Sequence, residues 1–257
     1  TIMVEGEGYD PTGRFMLGRQ SINPGEDKAG RLLLEVAANC NNSSLEKQRG
    51  GYQISGDPTE GALLVLAAKA GFDPVYARRY EIPFDSERKL MSVVIDKQGQ
   101  PVLLAKGALE EIIARCGSVM EGGKVVGFTT RHRRYLNQLQ EEWANQALRV
   151  LAFACKKISG RELAVPNEKE LEKDLVLVGI CGMIDPPRTG VKDSVLVSRQ
   201  AGILPLMITG DHPVTARAIA AEIGIGSEEQ VIAGPEIDRM NDEELYRGAI
   251  KKRVFAR

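Results

Sequence analysis

The chain has 257 residues, 43% of them hydrophobic, and a formal net charge of −1. Because basic residues do not outnumber acidic ones, the composition argues against a nucleic-acid-binding surface. The longest apolar run, residues 175–184, contains two glycines and is about half as long as the roughly 20 residues that a membrane-spanning helix needs. The length is sufficient for two domains, and no membrane span is predicted.

The cysteines do not form a pattern typical of a metal site. Structural zinc sites use paired ligands at short spacing, whereas the four cysteines are widely separated and both histidines lie far from them. We therefore predict reduced thiols in the core of a cytosolic protein, and no metal site within the chain. The cysteines are Cys40, Cys116, Cys155 and Cys181.

The amino-terminal segment is predicted to contain short elements. Alternating apolar and polar residues with Gly and Asp-Pro breaks predict short strands and a hairpin over residues 2–20. Apolar residues at helical spacing predict a helix over residues 28–39. The polar run over residues 40–51 is predicted to be a loop.

A second helix has well-defined ends. Asp57 is the predicted N-cap and Pro58 the first helical residue. Glu60 follows the cap by three residues and so completes a predicted capping box with Asp57. Gly71 is predicted to end this helix.

The middle of the chain is predicted to be rich in strands. Residues 79–106 read as three strands, with a turn at residues 97–100. The elements predicted after them are a helix closed by Gly117, a hairpin around residues 122–123, a helix over 130–147, and strands over 148–158 and 175–184 separated by a helical insert near 167–173.

The segment Asp185-Pro186-Pro187-Arg188 marks a change in organisation, because two prolines fit neither a helix interior nor a central strand. Helices and strands alternate after it, which predicts a parallel α/β sheet. We therefore place a domain boundary near residue 184, between an α+β part with antiparallel hairpins and a piece of a doubly wound fold. The elements predicted after the boundary are helices over 190–201, 212–223 and 241–251 and strands over 203–208 and 230–233.

One predicted strand runs into a helix through Thr209, Gly210 and Asp211. The amino end of a helix offers free backbone N–H groups and a partial positive charge to an anion, and Gly210 allows a close backbone approach. This turn is therefore a candidate phosphate site, although an ordinary N-cap aspartate explains it equally well. The dinucleotide fingerprint G-x-G-x-x-G and the P-loop signature G-K-[ST] are absent from the sequence.

A second candidate is the aromatic and basic stretch around Phe84, Arg88 and Lys89. A purine base can stack on an exposed aromatic ring while nearby cations meet its phosphates. The alternative is a core phenylalanine with two solvated cations. Lys106 ends a buried strand and Gly107 begins a helix, so the lysine could project into a cleft, or it could be an ordinary surface residue.

Six motifs occur in order along the chain: Gly56-Asp57-Pro58-Thr59-Glu60, Phe84-Asp85-Ser86-Glu87-Arg88-Lys89-Leu90-Met91-Ser92, Lys106-Gly107-Ala108, Ala147-Leu148-Arg149, Asp185-Pro186-Pro187-Arg188 and Thr209-Gly210-Asp211. Taken together, they make the chain resemble the large cytosolic loop of P-type cation-transporting ATPases, in particular the type II subgroup that includes the calcium pumps.

The resemblance implies a role for each matched residue. Phe84 is similar to the adenine-stacking aromatic, and Glu60 to the acidic residue at the adenine edge. The cations that the resemblance places in the nucleotide pocket are Arg88, Lys89, Lys106 and Arg149, with Gly107 next to Lys106. Asp185 and Arg188 match the interdomain hinge, and Thr209, Gly210 and Asp211 match the turn that holds the transferred phosphoryl group and its Mg²⁺.

The implied fold is an α+β nucleotide-binding domain, with an antiparallel sheet flanked by helices, over residues 1–184. A partial α/β, Rossmann-like phosphorylation domain of the haloacid dehalogenase type is implied over residues 185–257. The nucleophilic aspartate of this family is expected before residue 1 and further metal-binding aspartates after residue 257, so both ends of the chain are expected to be cuts.

The implied function is therefore ATP binding within an ion pump, most readily a calcium pump, at the cytoplasmic face of a membrane. The fragment is expected to be monomeric and to bind ATP without turning it over. Its implied partners are ATP and the transmembrane, actuator and phosphorylation domains of its own pump. Two alternatives stay open: a standalone haloacid-dehalogenase-type phosphohydrolase, for which Asp10 is the nearest candidate nucleophile, and a non-catalytic nucleotide sensor.

Overall fold

The computed structural model describes residues 1–6, 8–49, 51–146, 148–184, 190–210, 213–225 and 231–256. It divides into two compact units, one formed by residues 1–134 and 151–181 and the other by residues 135–150 and 182–257. The division into residues 1–184 and 185–257 stays a prediction. The hinge residues Asp185 and Arg188 lie outside the described residues. In the part that is described, no helix is both long enough and apolar enough to span a bilayer.

The helices are α1 (Lys28–Asn39), α2 (Pro58–Lys69), α3 (Leu109–Arg115), α4 (Thr130–Asn145), α5 (Gly160–Ala164), α6 (Glu168–Leu171), α7 (Val191–Gln200), α8 (Pro213–Ile223), α9 (Gly234–Ile237) and α10 (Asp242–Lys251). The strands are β1 (Met3–Val4), β2 (Phe15–Leu17), β3 (Gln20–Ile22), β4 (Ser44–Gln48), β5 (Gly51–Ser55), β6 (Ala77–Asp85), β7 (Leu90–Lys97), β8 (Gln100–Gly107), β9 (Cys116–Glu121), β10 (Lys124–Gly127), β11 (Arg149–Lys157), β12 (Leu175–Met183), β13 (Met207–Ile208), β14 (Val231–Ala233) and β15 (Val254–Ala256).

A seven-stranded sheet with the order β10-β9-β12-β11-β8-β7-β6 dominates the first unit. Strands β6, β7, β8 and β11 pair antiparallel in that succession, as do β9 and β10, but β12 runs parallel to β9. The sheet is therefore mixed, whereas the resemblance implied an antiparallel sheet. Its centre is buried over the first six residues of β7 and the last five of β8, which are apolar except for Ser92, Lys106 and Gly107.

Helices α1 and α2 begin where their sequences predict. Asp27 caps α1 by accepting hydrogen bonds from the backbone N–H groups of Ala29 and Gly30, and Asp57 caps α2 by accepting from the N–H of Glu60. The two helices pack against each other, and α1 also packs against β8. The first turn of α2 is thereby held close to the main sheet.

The second unit contains a small parallel sheet with the order β13-β15-β14. Helix α8 packs against β14 and β15, and α7 packs against α8. Parallel strands with packed helices are the arrangement that the alternation of elements predicted after residue 184. Its buried core is made of Val195, Ala216, Ala220, Ile223, Ile225, Val254 and Ala256.

Two sequence predictions of secondary structure were wrong. The polar run over residues 40–51 is not a loop, because β4 pairs with β5 as an antiparallel hairpin. Its register places Leu45 opposite Ile54, and most other positions are exposed, so the pattern carries little hydrophobic signal. The strand predicted over residues 203–208 is confined to Met207–Ile208.

Candidate functional site

Phe84 lies on a β-bulge in an edge strand of the main sheet. Ile82 pairs with Ser92 and Asp85 pairs with Leu90, so the two residues between them on β6 oppose the single residue Met91 on β7. Pro83, one of those two residues, has no N–H to donate, and bulges and edge strands are where sheets tolerate proline. Bulges also redirect side chains, and the Phe84 ring is 63% exposed.

The turn after Phe84 is closed by Asp85. Its carboxylate accepts hydrogen bonds from the backbone N–H groups of Arg88 (3.1 Å) and Glu87 (2.8 Å), which in that order hold the pKa of Asp85 below its ordinary value. The N–H of Lys89 donates to the Asp85 carbonyl oxygen over 2.6 Å, and Lys89 adopts the left-handed conformation with φ 53°. The Lys89 ammonium lies 3.8 Å from Glu110, and both side chains are exposed.

Glu60 and Lys106 form an ion pair close to the same strands. Lys106 lies directly opposite Met91, and its Nζ is 2.6 Å from Oε1 of Glu60. The side chains are only 9% and 14% exposed for Lys106 and Glu60, so the pair is mostly shielded from water. Strands are about 5 Å apart in a sheet, which places Lys106 roughly 10 Å across from the bulge that carries Phe84.

The predicted capping box at the start of α2 is only half present. Asp57 accepts from the N–H of Glu60 over 3.1 Å, as predicted. The Glu60 carboxylate does not reciprocate in the described structure, because its Oε1 is bonded to Lys106 and its Oε2 accepts from the N–H of Asn42 over 2.8 Å. The tertiary partner has replaced the local one, so that Glu60 is part of a site and not only of a helix cap.

A hydrogen-bond network extends the site from Glu60 to Glu81. The Asn42 side chain donates to Glu81 over 2.8 Å and accepts from Arg78 over 2.6 Å. The Asn42 hydrogen bond, followed by the nearby Arg78, holds the pKa of Glu81 below its ordinary value. Sequence analysis missed these three residues. The only signal was the cluster of asparagines after α1, which was assigned to a loop.

Arg88 is not brought together with Glu60 and Lys106. Its Nη2 donates to Oε1 of Glu172 over 2.6 Å, and the hydroxyl of Ser92 donates to the same oxygen over 2.8 Å. Successive side chains of a strand point to opposite faces, and Ser92 follows Met91, the residue opposite Lys106. The Arg88 guanidinium therefore lies at the opposite face of the sheet from Lys106.

Gly107 lies at a close approach of two strands. A Cβ added there would lie 2.5 Å from the Cβ of Leu90 and 2.6 Å from the carbonyl oxygen of Lys89. That oxygen also accepts from the N–H of Ala108 over 2.9 Å. The packing of β8 against the turn after Phe84 is enough to require glycine, whether or not a ligand approaches this backbone.

The remaining predicted site residues lie in the second unit. Arg149 begins β11 and is exposed. Thr209 follows β13, and its N–H donates to the Phe255 carbonyl oxygen over 3.0 Å. Gly210 is exposed at the end of that segment. Asp211 lies outside the described residues, and α8 begins at Pro213.

The cysteines are free thiols in the structure. Burial raises the pKa of Cys40, Cys116 and Cys181 to about 12 and that of Cys155 to about 11, so these thiols stay protonated near neutral pH. Among the described residues, no cluster of three or more His, Cys, Asp or Glu side chains could hold a metal ion.

The candidate hydrolase nucleophile Asp10 lies in the loop between β1 and β2. Its carboxylate accepts from the backbone N–H of Thr12 over 2.9 Å, which is a local turn interaction. Asp10 is exposed and does not follow an apolar strand. The geometry therefore gives Asp10 a structural role and does not favour a nucleophilic one.

Comparison with known proteins identifies a family for most of the chain. The family model described as P-type ATPase, cytoplasmic domain N, matches residues 30–190. The chain is 36% identical over 264 residues to a calcium-transporting ATPase of Bacillus subtilis, an alignment that covers 100% of this chain and 29% of that protein.

Two further relatives carry related names. The chain is 40% identical over 237 residues to calcium-transporting ATPase 1 of Lactococcus lactis, covering 88% of the chain and 26% of that protein. It is 34% identical over 262 residues to the human calcium-transporting ATPase type 2C member 1, covering 99% of the chain and 27% of that protein. The chain thus spans less than a third of the length of these relatives.

Proposed function

Because the chain belongs to the P-type ATPase cytoplasmic N-domain family, we propose that its first unit binds ATP as part of a calcium-transporting ATPase. The observation that carries this proposal is the exposed Phe84 ring on its bulge, within reach of the shielded Glu60–Lys106 pair. An exposed aromatic ring offers a flat apolar face on which a base can stack.

Each residue near the bulge has a distinct proposed role. The adenine ring stacks on Phe84, and Glu60, whose two oxygens have lone pairs to spare, accepts a hydrogen bond from a donor on the edge of the base. Lys106 pairs with the Glu60 carboxylate over 2.6 Å and adds positive potential. Lys89 is in a weak, exposed pair with Glu110, which a phosphate group can displace.

For the second unit we propose a phosphorylation domain of the haloacid dehalogenase type, joined to the first unit through Asp185 and Arg188. Thr209, Gly210 and Asp211 hold the transferred phosphoryl group. The support is the parallel sheet of β13, β15 and β14 with α8 following β13, since a strand feeding a helix amino end suits an anion. Arg149 belongs with the cations that meet the phosphates.

The longer protein transfers the γ-phosphoryl group of ATP to an aspartate that lies outside residues 1–257, and couples this to ion transport. Such transfer depends on positioning and charge neutralisation, which Lys106 and Arg149 partly supply. In the longer protein, Mg²⁺ would supply further neutralisation at the turn of Thr209, Gly210 and Asp211. The chain lies at the cytoplasmic face of a membrane, and its partners are ATP and the rest of the pump. Calcium is the proposed ion because the relatives carry that name.

No observation favours a standalone phosphohydrolase or a nucleotide sensor over this proposal. The hydrolase would need a nucleophile, and Asp10 is engaged in a local turn. ATP turnover separates the hydrolase from the pump domain, because the chain is expected to bind ATP and release phosphate no faster than buffer does.

The proposal is tested by titrating the chain with ATP, followed by NMR or calorimetry. One stacked base is worth about 1–3 kcal/mol, and after association costs we expect a Kd in roughly the millimolar to sub-millimolar range. The Phe84→Ala variant should raise the Kd about tenfold or more. Tyr246→Ala is the matched control, since Tyr246 is equally exposed but lies on α10.

Unchanged binding by Phe84→Ala would rule out stacking on this ring. An equal loss in Tyr246→Ala would show that the effect is not specific to the site. Phosphate release well above the buffer rate would instead support the hydrolase.

A further inference from the structure

The structure assigns to Glu172 the role of a positioning residue: we propose that its buried carboxylate, acting through Arg88, fixes the turn that presents Phe84. This inference rests on the proposed ATP-binding function. Glu172 is about ninety residues downstream of Phe84 in sequence. None of the motifs that carry the family resemblance includes it.

Glu172 is a rigid anchor. Its side chain is only 5% exposed, and its Oε1 accepts from both Arg88 and Ser92. Its Oε2 lies 3.9 Å from Nε of Arg115 on α3. Its backbone is also fixed, since its N–H donates to the carbonyl oxygen of Glu168 as the C-cap of α6. A buried carboxylate with this many donors is held in one orientation.

Arg88 connects this anchor to the bulge. Its Nη2 bonds Glu172, while its Nη1 donates to the carbonyl oxygen of Pro83 over 3.4 Å. That carbonyl belongs to the peptide group that joins Pro83 to Phe84. The same guanidinium therefore bridges the Phe84 backbone and a fixed point behind the sheet.

The turn between Phe84 and Arg88 is held at both ends. Asp85 closes it from within by accepting from the N–H of Arg88, and the Arg88 side chain ties it to Glu172. The Phe84 ring is exposed, so its direction depends mainly on the conformation of its backbone. Without the tie, the turn is expected to sample orientations that do not present the ring to a base.

The effect on ATP binding follows from the fraction of molecules in which the ring is correctly placed, because the apparent Kd rises as that fraction falls. For Glu172→Gln, which keeps the shape but removes the charge, we expect the Kd to rise about threefold to tenfold. The matched control is Glu35→Gln. Glu35 is equally buried in a 2.6 Å pair with Lys97, at the far end of β7 from Leu90.

The experiment measures the Kd of ATP and of AMP by NMR titration of the full chain, with urea unfolding in parallel. Positioning of the ring predicts that Glu172→Gln weakens both nucleotides by the same factor, because both contain the base. It also predicts shifted amide resonances for residues 85–89 before nucleotide is added. Glu35→Gln should lose comparable stability and keep both Kd values.

Unchanged Kd values in Glu172→Gln would overturn the assignment. So would weaker binding of ATP alone, which would place Arg88 on the phosphates, or an equal loss of nucleotide affinity in Glu35→Gln. If Glu172→Gln does not fold, Ser92→Ala tests the inference instead, since it removes one donor to the same oxygen. The Kd values of ATP and AMP should then rise by the same factor, which should be smaller than the factor expected for Glu172→Gln. If Phe84→Ala weakens binding and the Glu172 and Ser92 variants do not, only this inference fails, and the proposed function stands.

Discussion

Each face of the main sheet carries a glutamate in a 2.6 Å ion pair: the partly buried Glu60 with Lys106 on one face, and the buried Glu172 with Arg88 on the other. The Glu60 pair is linked by a hydrogen bond to the exposed Asn42, whereas Glu172 is enclosed by arginines and a buried serine. The same chemistry can therefore serve two purposes. An ion pair that faces a ligand-binding surface can contact a ligand, whereas an ion pair that is enclosed by other side chains can only stabilise the fold.

The largest expected effect is that of Lys106→Met. The variant keeps the aliphatic stem but leaves the Glu60 carboxylate shielded from water without its cation. Removing one partner of a buried pair costs about 3 kcal/mol, measurable as a lower urea midpoint at pH 7. ATP binding should weaken as well, because Lys106 contributes positive potential at the proposed site.

Lys89→Met is the control for that experiment. Lys89 is exposed and only loosely paired with Glu110, so its removal should change stability by less than about 0.5 kcal/mol. A stability loss below about 1 kcal/mol for Lys106→Met would contradict the picture of a shielded, mutually dependent pair.

The next effect concerns Gly107, which the family resemblance places near the nucleotide. Because a Cβ there would clash with Leu90 and with the Lys89 carbonyl, Gly107→Ala should destabilise the chain by about 2 kcal/mol even without ligand. Gly127→Ala is the matched control, since Gly127 is also in a strand but has open space around its Cβ position. Equal stabilities for the two variants would show that the approach of β8 to Leu90 relaxes easily.

Sequence reasoning predicted the elements with strong local signals. Helix α1 was predicted from helical spacing and α2 from its capping aspartate, and the three long strands β6, β7 and β8 were predicted over residues 79–106. The β4–β5 hairpin was missed because both its faces are largely exposed, which removes the alternation that identifies a strand. The parallel pairing of β12 with β9 was missed because pairing across distant segments leaves no local signal.

The site could be predicted only in part, because contacts between distant segments leave no local signal in the sequence. Phe84 and Lys106 could be proposed from local sequence and resemblance, but the partner of Arg88 could not, because Glu172 meets it only through the tertiary fold. The side chain of Glu60 illustrates the limit most clearly. Local rules assign it to a capping box, and the structure directs it to Lys106, since a charged partner offers a stronger hydrogen bond than a backbone N–H.

Asp57→Ala should have a smaller effect on stability. This variant tests whether the position of Glu60 depends on the N-cap of α2. Loss of the N-cap of α2 costs about 1 kcal/mol and frees the N–H of Glu60, so ATP should also bind more weakly. Asp27→Ala removes the N-cap of α1 at similar cost, and it should leave the ATP Kd unchanged. Titration and urea unfolding of both variants measure the two effects separately, and equal Kd values for both would show that the start of α2 does not position Glu60.

The smallest effect is a pH dependence of stability from Glu81. Since the Asn42 hydrogen bond and Arg78 lower the folded-state pKa of Glu81, its stabilising contribution is complete above the unfolded-state pKa of about 4.3. That contribution is lost as the pH falls through the lower, folded-state value. Glu81→Gln should therefore be less stable than the parent chain at pH 7, by less than about 1 kcal/mol, and the difference should shrink as the pH falls from about 5 to 3.

Urea unfolding of the parent chain and of Glu81→Gln across that pH range measures the difference directly. A Glu81→Gln difference that stays constant down to pH 3 would mean that Asn42 and Arg78 do not favour the ionised form of Glu81. In that case hydrogen bonds that do not depend on charge would hold the network of Asn42, Arg78 and Glu81 together. The polar network on the Glu60 face would then be less sensitive to pH than the structure indicates.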